Sequence, residues 1–387
     1  MSIYLDSAAT ANRSSIDDII VNTMTEAMRE YWQNPSSLYA TDVKEKINKC
    51  RANIAKFIGA KSDEIYFTSG ASESNNWAIR GWIDEIRLNV YKQTIVIATR
   101  IEHKSLKVLF DKIEENPLNV VMEYCDTDEF GFVDCQSLEQ QLSTYKGKSV
   151  LVSVGFANGE IGTIQPIKEI ANLVHKYGGI LHVDATQALP YIPIDVNELG
   201  IDMLSASGHK ISPVLKGIGF LYKRNGINIQ PLIYGAQENQ MRGGTENTFG
   251  IIGLSKAIDF CCDVSQEAID EFCKVRNYFI NLLEKKFDCE LNGDSYYRLP
   301  NNINVTFPQN ITGEALLYCL DMSGIQISVG SACNSQSIEP SYILKEIGLS
   351  DEEAMRTIRI TLSNDITYEE IDYVVEEIDK AIKLIEI

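Results

Sequence analysis

Between about residues 64 and 222 the chain alternates short runs rich in β-branched residues with longer stretches of helical period. Runs at 64–68, 94–99, 119–124, 150–155, 180–184, 202–206 and 217–222 read as strands. Apolar residues recurring at every third or fourth position predict helices over 72–85, 104–115 and 167–177 between them. Parallel neighbours need a long crossover that a helix supplies, so this alternation predicts an α/β fold with a mostly parallel sheet covered on both faces. After Gly250 the pattern changes. A helix over 266–286 leads to a strand at 302–307, a helix at 313–321 and a strand at 326–329. A helix at 342–347, a strand at 357–362 and a helix at 368–385 follow, which reads as a smaller α+β domain. The predicted division is 15–255 for the large domain, beginning with a helix over 16–31, and 1–14 with 256–387 for the small one.

Composition narrows the class. With 387 residues there is ample core for two domains, and 44% hydrophobic with 23% charged content is ordinary for a globular protein. A formal charge of −19 disfavours nucleic acid and anionic membrane and favours basic protein partners. No stretch is apolar for long enough to span a bilayer, and no leader signature is present at the N-terminus, so a cytoplasmic location is expected. The nine cysteines show neither CxxC nor metal spacing, which predicts reduced thiols and no metal site. Cys261 and Cys262 read as core.

The polar motifs sit where such a sheet does chemistry, at the carboxyl ends of strands. Thr-Ser-Gly-Ala-Ser (68–72), Ala-Asn-Gly-Glu (157–160), Asp-Ala-Thr-Gln (184–187) and Ser-Gly-His-Lys (207–210) each follow a strand directly. A Lys behind one strand and an Asp ending the preceding one suit pyridoxal phosphate (PLP). The Lys210 amine condenses with the cofactor aldehyde, and Asp184 pairs with the pyridinium nitrogen to keep the ring an electron sink. Read alone, the pair also fits solvated charges at strand ends. Gly70, Ala71 and Ser72 close a strand and open a helix, a place suited to phosphate. Of the four histidines, His103 follows a strand and is predicted to stack on the ring and move protons. His182 reads as a satisfied strand residue, His209 as a phosphate or packing contact, and His175 as a surface residue. Cys333 lies in a small, polar stretch between Gly330 and Pro340, which predicts an accessible, reactive thiol on a mobile loop.

These motifs resemble those of the cysteine desulfurases, PLP enzymes of the class-V aminotransferase superfamily, nearly end to end. The likeness starts at Tyr-Leu-Asp-Ser-Ala-Ala-Thr (4–10) and Asn-Pro-Ser-Ser-Leu (34–38) and runs through residues 67–76, Glu-His-Lys (102–104) and Asn-Gly-Glu-Ile-Gly (158–162). It continues through Arg-Gly-Gly-Thr-Glu-Asn (242–247), the Cys333 loop and Ile-Arg-Ile-Thr-Leu (358–362). The resemblance implies fold type I of the PLP-dependent transferases. It also implies that Lys210 anchors PLP, that Asp184, Asn158 and Gln187 contact the ring, and that His103 stacks on it and transfers protons. Ala71, Ser72, Ser207, Gly208 and His209 are implied to surround the phosphate, with Thr245 reaching the phosphate of a neighbouring subunit in a homodimer with shared sites. Arg359 and Asn34 are implied to bind the substrate, Arg359 through its carboxylate.

The implied reaction takes sulfur from L-cysteine onto Cys333 as a persulfide and releases L-alanine. The acceptor would be a protein, either an iron–sulfur scaffold or a thiolation enzyme. Departures from the family pattern are Ile-Ser-Pro-Val-Leu (211–215) after Lys210, one residue longer than usual, and Ser72 in place of Thr. The alternatives are a selenocysteine lyase or other β-eliminating PLP enzyme, and a sulfur-relay partner without catalysis.

Overall fold

The computed structural model describes residues 2–12, 14–89, 93–115, 119–308, 311–329 and 339–385. A seven-stranded sheet lies at its centre. In spatial order its strands are Ile65–Thr68, Gly219–Lys223, Met203–Ser207, Ile180–Asp184, Ser149–Gly155, Thr94–Ala98 and Val120–Tyr124. All pairings are parallel except the two made by Gly219–Lys223, which runs antiparallel to both neighbours. Six of these strands are buried along nearly their whole length, as expected of a sheet covered on both faces.

One face packs against the helices Ser14–Glu30, Thr41–Phe57, Cys135–Thr144, Ile167–Lys176 and Thr248–Cys262. The other packs against Ala71–Asn89 and Lys104–Glu115, around fully buried Trp77 and Phe110. The helix Thr41–Phe57 went unread in the sequence because Lys, Glu and Asn dominate it. Its buried residues Val43, Ile47, Cys50 and Ile54 nevertheless form one stripe at helical spacing.

A separate apolar cluster gathers Ile3 and Leu5 with residues from the helices Gln266–Phe287, Gly313–Met322 and Tyr368–Ile385. Its sheet orders Thr357–Thr361, Asn302–Thr306 and Glu290–Leu291 antiparallel, and Ile3–Tyr4 pairs in parallel with Ile325–Gln326. The N-terminal residues therefore pack with the C-terminal third of the chain.

Two seams tie this cluster to the large sheet. The backbone of 5–8 bonds to Thr361, and Ala11 N–H donates to His209 O. Arg298 and Asn302 reach the loop at 159–162: Arg298 donates to Ile161 O at 3.0 Å, and Asn302 Nδ2 to Glu160 O at 3.1 Å. Gly162 has φ +84, and a Cβ there would lie 2.6 Å from Asn302 Oδ1, so a side chain is excluded on both grounds.

The departure after Lys210 has a simple local outcome. Pro213–Leu215 forms a single 3-10 turn, Leu215 and Ser212 are buried, and Ser212 Oγ donates to Asp17 of the first helix at 2.5 Å.

One smaller expectation changes. Cys262 is exposed at the end of its helix and Cys261 only partly buried, because the buried stripe there ends at Ile258. His175 is exposed, as expected, and bonds to Asp202 at 2.8 Å.

Candidate active site

The strand-end motifs converge on a cavity of about 1190 Å³ between the large sheet and the smaller cluster. Ala71, Ser72, His103, Asn158, Asp184, Gln187, Ser207, His209, Lys210 and Arg359 all line it. Five of them follow five different strands, which explains how residues far apart in sequence meet. Gly208 is buried instead against Leu215 and Ile218, where a Cβ would clash at 2.9 Å, and does not line the space. Asn34 and Thr245 are exposed and lie elsewhere on the chain, on neighbouring segments: Gln237 donates to Ser36 Oγ at 3.4 Å and accepts from Gly244 N–H at 3.0 Å. Cys333 lies outside the described residues.

Lys210 ends the turn after Met203–Ser207. Its Nζ donates to Ala8 O at 2.5 Å and Ala9 O at 2.8 Å. Burial, reinforced by Arg359, pulls its pKa down to about 8, against the opposing pull of Asp6 and Asp184. Burial thus favours the neutral amine, the form that can attack a carbonyl. The same Ala8 carbonyl accepts from Gln187 Nε2 at 3.1 Å, so the N-terminal segment ties two of these side chains together.

Asp184 is buried, and both of its carboxylate oxygens accept hydrogen bonds. Oδ2 accepts from Asn75 Nδ2 at 2.7 Å, and Oδ1 accepts from Thr186 N–H at 3.0 Å and from the Thr186 hydroxyl. Asn158 shapes its own loop: Nδ2 donates to Ile101 O at 3.0 Å and Oδ1 accepts from Glu160 N–H at 2.8 Å. His209 Nδ1 and Ser207 Oγ are 2.8 Å apart, and burial with the nearby Lys210 and Lys216 pulls the His209 pKa down to about 4. His182, as predicted, is satisfied within the sheet, between the hydroxyls of Ser153 and Ser205 at 2.9 Å each.

Arg359 donates to Asp6 Oδ1 at 2.6 Å, while its Nε is buried without a partner among the described residues. Its guanidinium belongs to a side chain that lines the cavity, where a fixed positive charge suits an anionic ligand group. Arg359 also exchanges backbone hydrogen bonds with Ser328, at 2.7 and 3.1 Å. Ser328, Val329, Glu339 and Pro340 line the cavity too, so both ends of the Cys333 segment stand at its rim.

The residues present fit PLP. A desolvated lysine and a buried carboxylate face one space, as an aldehyde and a pyridine nitrogen require. At the far end Ala71 and Ser72 open a helix whose first N–H groups have no intrahelical acceptor, beside Ser207, His209 and Lys216. A Cβ on Gly219 would sit 2.7 Å from Gly70 Cα, so the bare backbone lets its strand pack against the turn that opens the helix, where Gly70 adopts φ +146.

Several residues of this site carried no role in the sequence reading. Asp6, Asn75 and Glu160 all stand inside quoted motifs, but the motif signal marks a segment and not which side chain turns inward. Glu160 is buried, touches Ser341, and burial pushes its pKa up to about 7. Buried Glu102 is likewise raised, to about 8, with Thr99 donating to it at 2.6 Å. Arg298 lies in no motif at all.

An α/β enzyme in which a desolvated lysine, a buried carboxylate and an arginine face one cavity at the strand ends is the class this geometry defines. Comparison with known proteins agrees. The model of the family "Aminotransferase class-V" matches residues 3–374. A "Cysteine desulfurase IscS" of Dictyoglomus turgidum is 40% identical over 98% of this chain and 94% of its own length. One from Methanosarcina thermophila is 39% identical over 98% of this chain and 92% of its own. A solved NifS-like protein superposes with a TM-score of 0.89 at 32% identity, covering 99% of this chain and 100% of the other. A structure described as SspA in complex with cysteine gives 0.80 at 32% identity, covering 94% and 99%. The chain belongs to the class-V aminotransferase family and, within it, to the cysteine desulfurases. It is a PLP-dependent enzyme of fold type I.

Proposed function

We propose that this chain takes the sulfur of free L-cysteine onto Cys333 as a persulfide, releases L-alanine, and hands the sulfur to a protein acceptor. The observation that carries the reading is the meeting of Lys210, Asp184 and Arg359 in one cavity whose rim holds both ends of the Cys333 segment. Cys333 is four positions beyond Val329, a separation an extended chain covers in about 13 Å. Its thiol therefore has the reach to enter the cavity.

When bound, PLP supplies an electron sink for the charge left by loss of the α-proton. Lys210 would hold it, Asp184 would serve its ring nitrogen, Asn158 and Gln187 its ring, and Ala71, Ser72, Ser207 and His209 its phosphate. Gly208 supports that end from behind by letting the turn pack on Leu215. Arg359 orients cysteine by its carboxylate, and Lys210, once released, accepts the α-proton and returns it. His103 faces the same space and assists proton movement. The Cys333 thiolate then attacks sulfur: an S–S bond forms, the C–S bond breaks, and the bonding pair stays on the β-carbon, which takes up a proton to become the methyl group of alanine.

The acidic charge of −19 supports a basic acceptor protein, an iron–sulfur scaffold or a thiolation enzyme. Exposed Trp32, Leu38, Tyr39 and Tyr234 flank Asn34 and the segment leading to Thr245. An apolar face of this kind supports a homodimer in which Asn34 and Thr245 serve the partner's cavity.

Mass spectrometry after cysteine treatment tests the reading. One added sulfur on Cys333 is expected, and Cys333→Ser should lose persulfide and alanine formation by more than a hundredfold in catalytic cycles. Undiminished turnover in that variant would instead support a lyase that needs no thiol. A second expectation concerns Arg359→Lys: KM for cysteine rises about a hundredfold with kcat changed far less, because an ammonium cannot make the paired, planar contact with a carboxylate. Steady-state kinetics decide it, and an unchanged KM removes Arg359 from substrate binding.

A further inference from the structure

Asn75 and Ser105 join two residues that face the cavity. Asn75 is fully buried on the helix Ala71–Asn89. Its Nδ2 donates both to Asp184 Oδ2 at 2.7 Å and to Ser105 Oγ at 3.1 Å. The amide cannot be reversed, since its oxygen would then press on the Asp184 carboxylate. Because Ser105 Oγ accepts from Asn75, its own proton is free to go to His103 Nδ1, which lies 2.8 Å away.

A second donor reaches the same nitrogen. His103 immediately precedes the helix Lys104–Glu115, and the backbone N–H of Ser105 donates to Nδ1 at 3.2 Å. The imidazole thus caps the helix, satisfying one of the N–H groups that every helix start leaves over. A backbone N–H can only donate, so Nδ1 must present a lone pair. The proton of the neutral ring then resides on Nε2.

We propose that Asn75 and Ser105 are positioning residues that hold His103 as the neutral Nε2–H tautomer, a hydrogen-bond donor into the cavity rather than a base. This narrows the assisting role given to His103 above and rests on the desulfurase reading for its place in turnover. Protonating the ring would set an N–H on Nδ1 against the Ser105 N–H and lose the cap. The titratable groups facing His103 are Asp184, Lys210 and His209, while Glu102 turns to Thr99. Burial lowers the pKa of His103 most, Lys210 lowers it further, Asp184 opposes, and the positive end of the helix dipole adds to the lowering. Abstraction of the α-proton accordingly falls to Lys210.

Nitrogen-15 NMR of histidine-labelled protein, with and without PLP, tests this, with the His103 signals identified by their loss in His103→Gln. At neutral pH the expected pattern is a proton-free Nδ1 and a protonated Nε2. Ser105→Ala should raise the protonation midpoint of His103 by about 0.7 of a pH unit, the worth of one ordinary hydrogen bond, and Ser105→Thr should restore it. A proton on Nδ1, or a midpoint unmoved in Ser105→Ala, overturns the assignment even if alanine is released normally. The expected pattern in a protein that releases no alanine from cysteine supports the assignment and sinks the desulfurase reading alone.

Discussion

Lys210→Ala should lower alanine release from cysteine at least about a thousandfold, since one side chain is lost both as anchor and as proton carrier. Lys210→Arg should fail equally. A guanidinium keeps the positive charge but stays protonated, so it neither condenses with an aldehyde nor accepts a proton. The pair separates a nucleophile from a mere cation. Ala8 O and Ala9 O, which accept from Lys210 Nζ, face the cavity, so their loss of a donor in the alanine variant leaves carbonyls that water can serve. The fold is therefore expected to survive. Single-turnover alanine formation, together with borohydride fixation of labelled PLP to the protein, decides the matter. If Lys210→Arg keeps even a tenth of the activity, the role given to this lysine is wrong.

Arg298→Ala should cost more stability than any other single change considered, about 3 kcal/mol or more, seen as a drop of roughly 4 °C or more in the unfolding midpoint. Arg298 is buried, and burial beside Arg276 pulls its pKa down, yet a guanidinium remains charged. It donates to the backbone oxygens of Ile161, Asn292, Asp294 and Asn302 and to Asn302 Oδ1, at 2.9 to 3.2 Å. None of these hydrogen-bond acceptors is a carboxylate, so the charge is held chiefly by carbonyl dipoles, with the nearby Asp294 carboxylate adding to them. Removing it orphans several buried oxygens at once. Arg298→Lys should rescue little, because one ammonium cannot reach acceptors spread over two segments. Turnover should fall beyond the loss of stability, since the loop at 159–162 borders Asn158 and supplies a carbonyl to Arg359 at 3.4 Å. Calorimetry and kinetics on the two variants measure both effects, and an unchanged midpoint would show that water replaces the side chain.

Arg298 also marks the limit of what patterns along the chain reveal. Periodicity located the seven strands of the main sheet within two residues at either end, because a strand buried on both faces must be apolar throughout. It did not show that Gly219–Lys223 runs antiparallel, since direction leaves no trace in a short apolar run. The helices Lys104–Glu115 and Tyr368–Ile385 were legible to the residue from their amphipathic stripes. The polar helix Thr41–Phe57 was not.

The same contrast holds for the chemistry. Lys210, Asp184, Ser72 and His103 could be picked out in one dimension because strand ends are where a parallel sheet presents its side chains, and local pattern identifies strand ends. Asp6, Asn75, Ser105 and Arg298 act through partners 30 to 353 positions away, or through backbone oxygens with no side-chain signature. Residue type and spacing thus sufficed for the sheet and for the strand-end residues that line its cavity. Which nitrogen of His103 carries a proton, and what steadies Arg359, depend on distances that arise only after the chain has closed on itself.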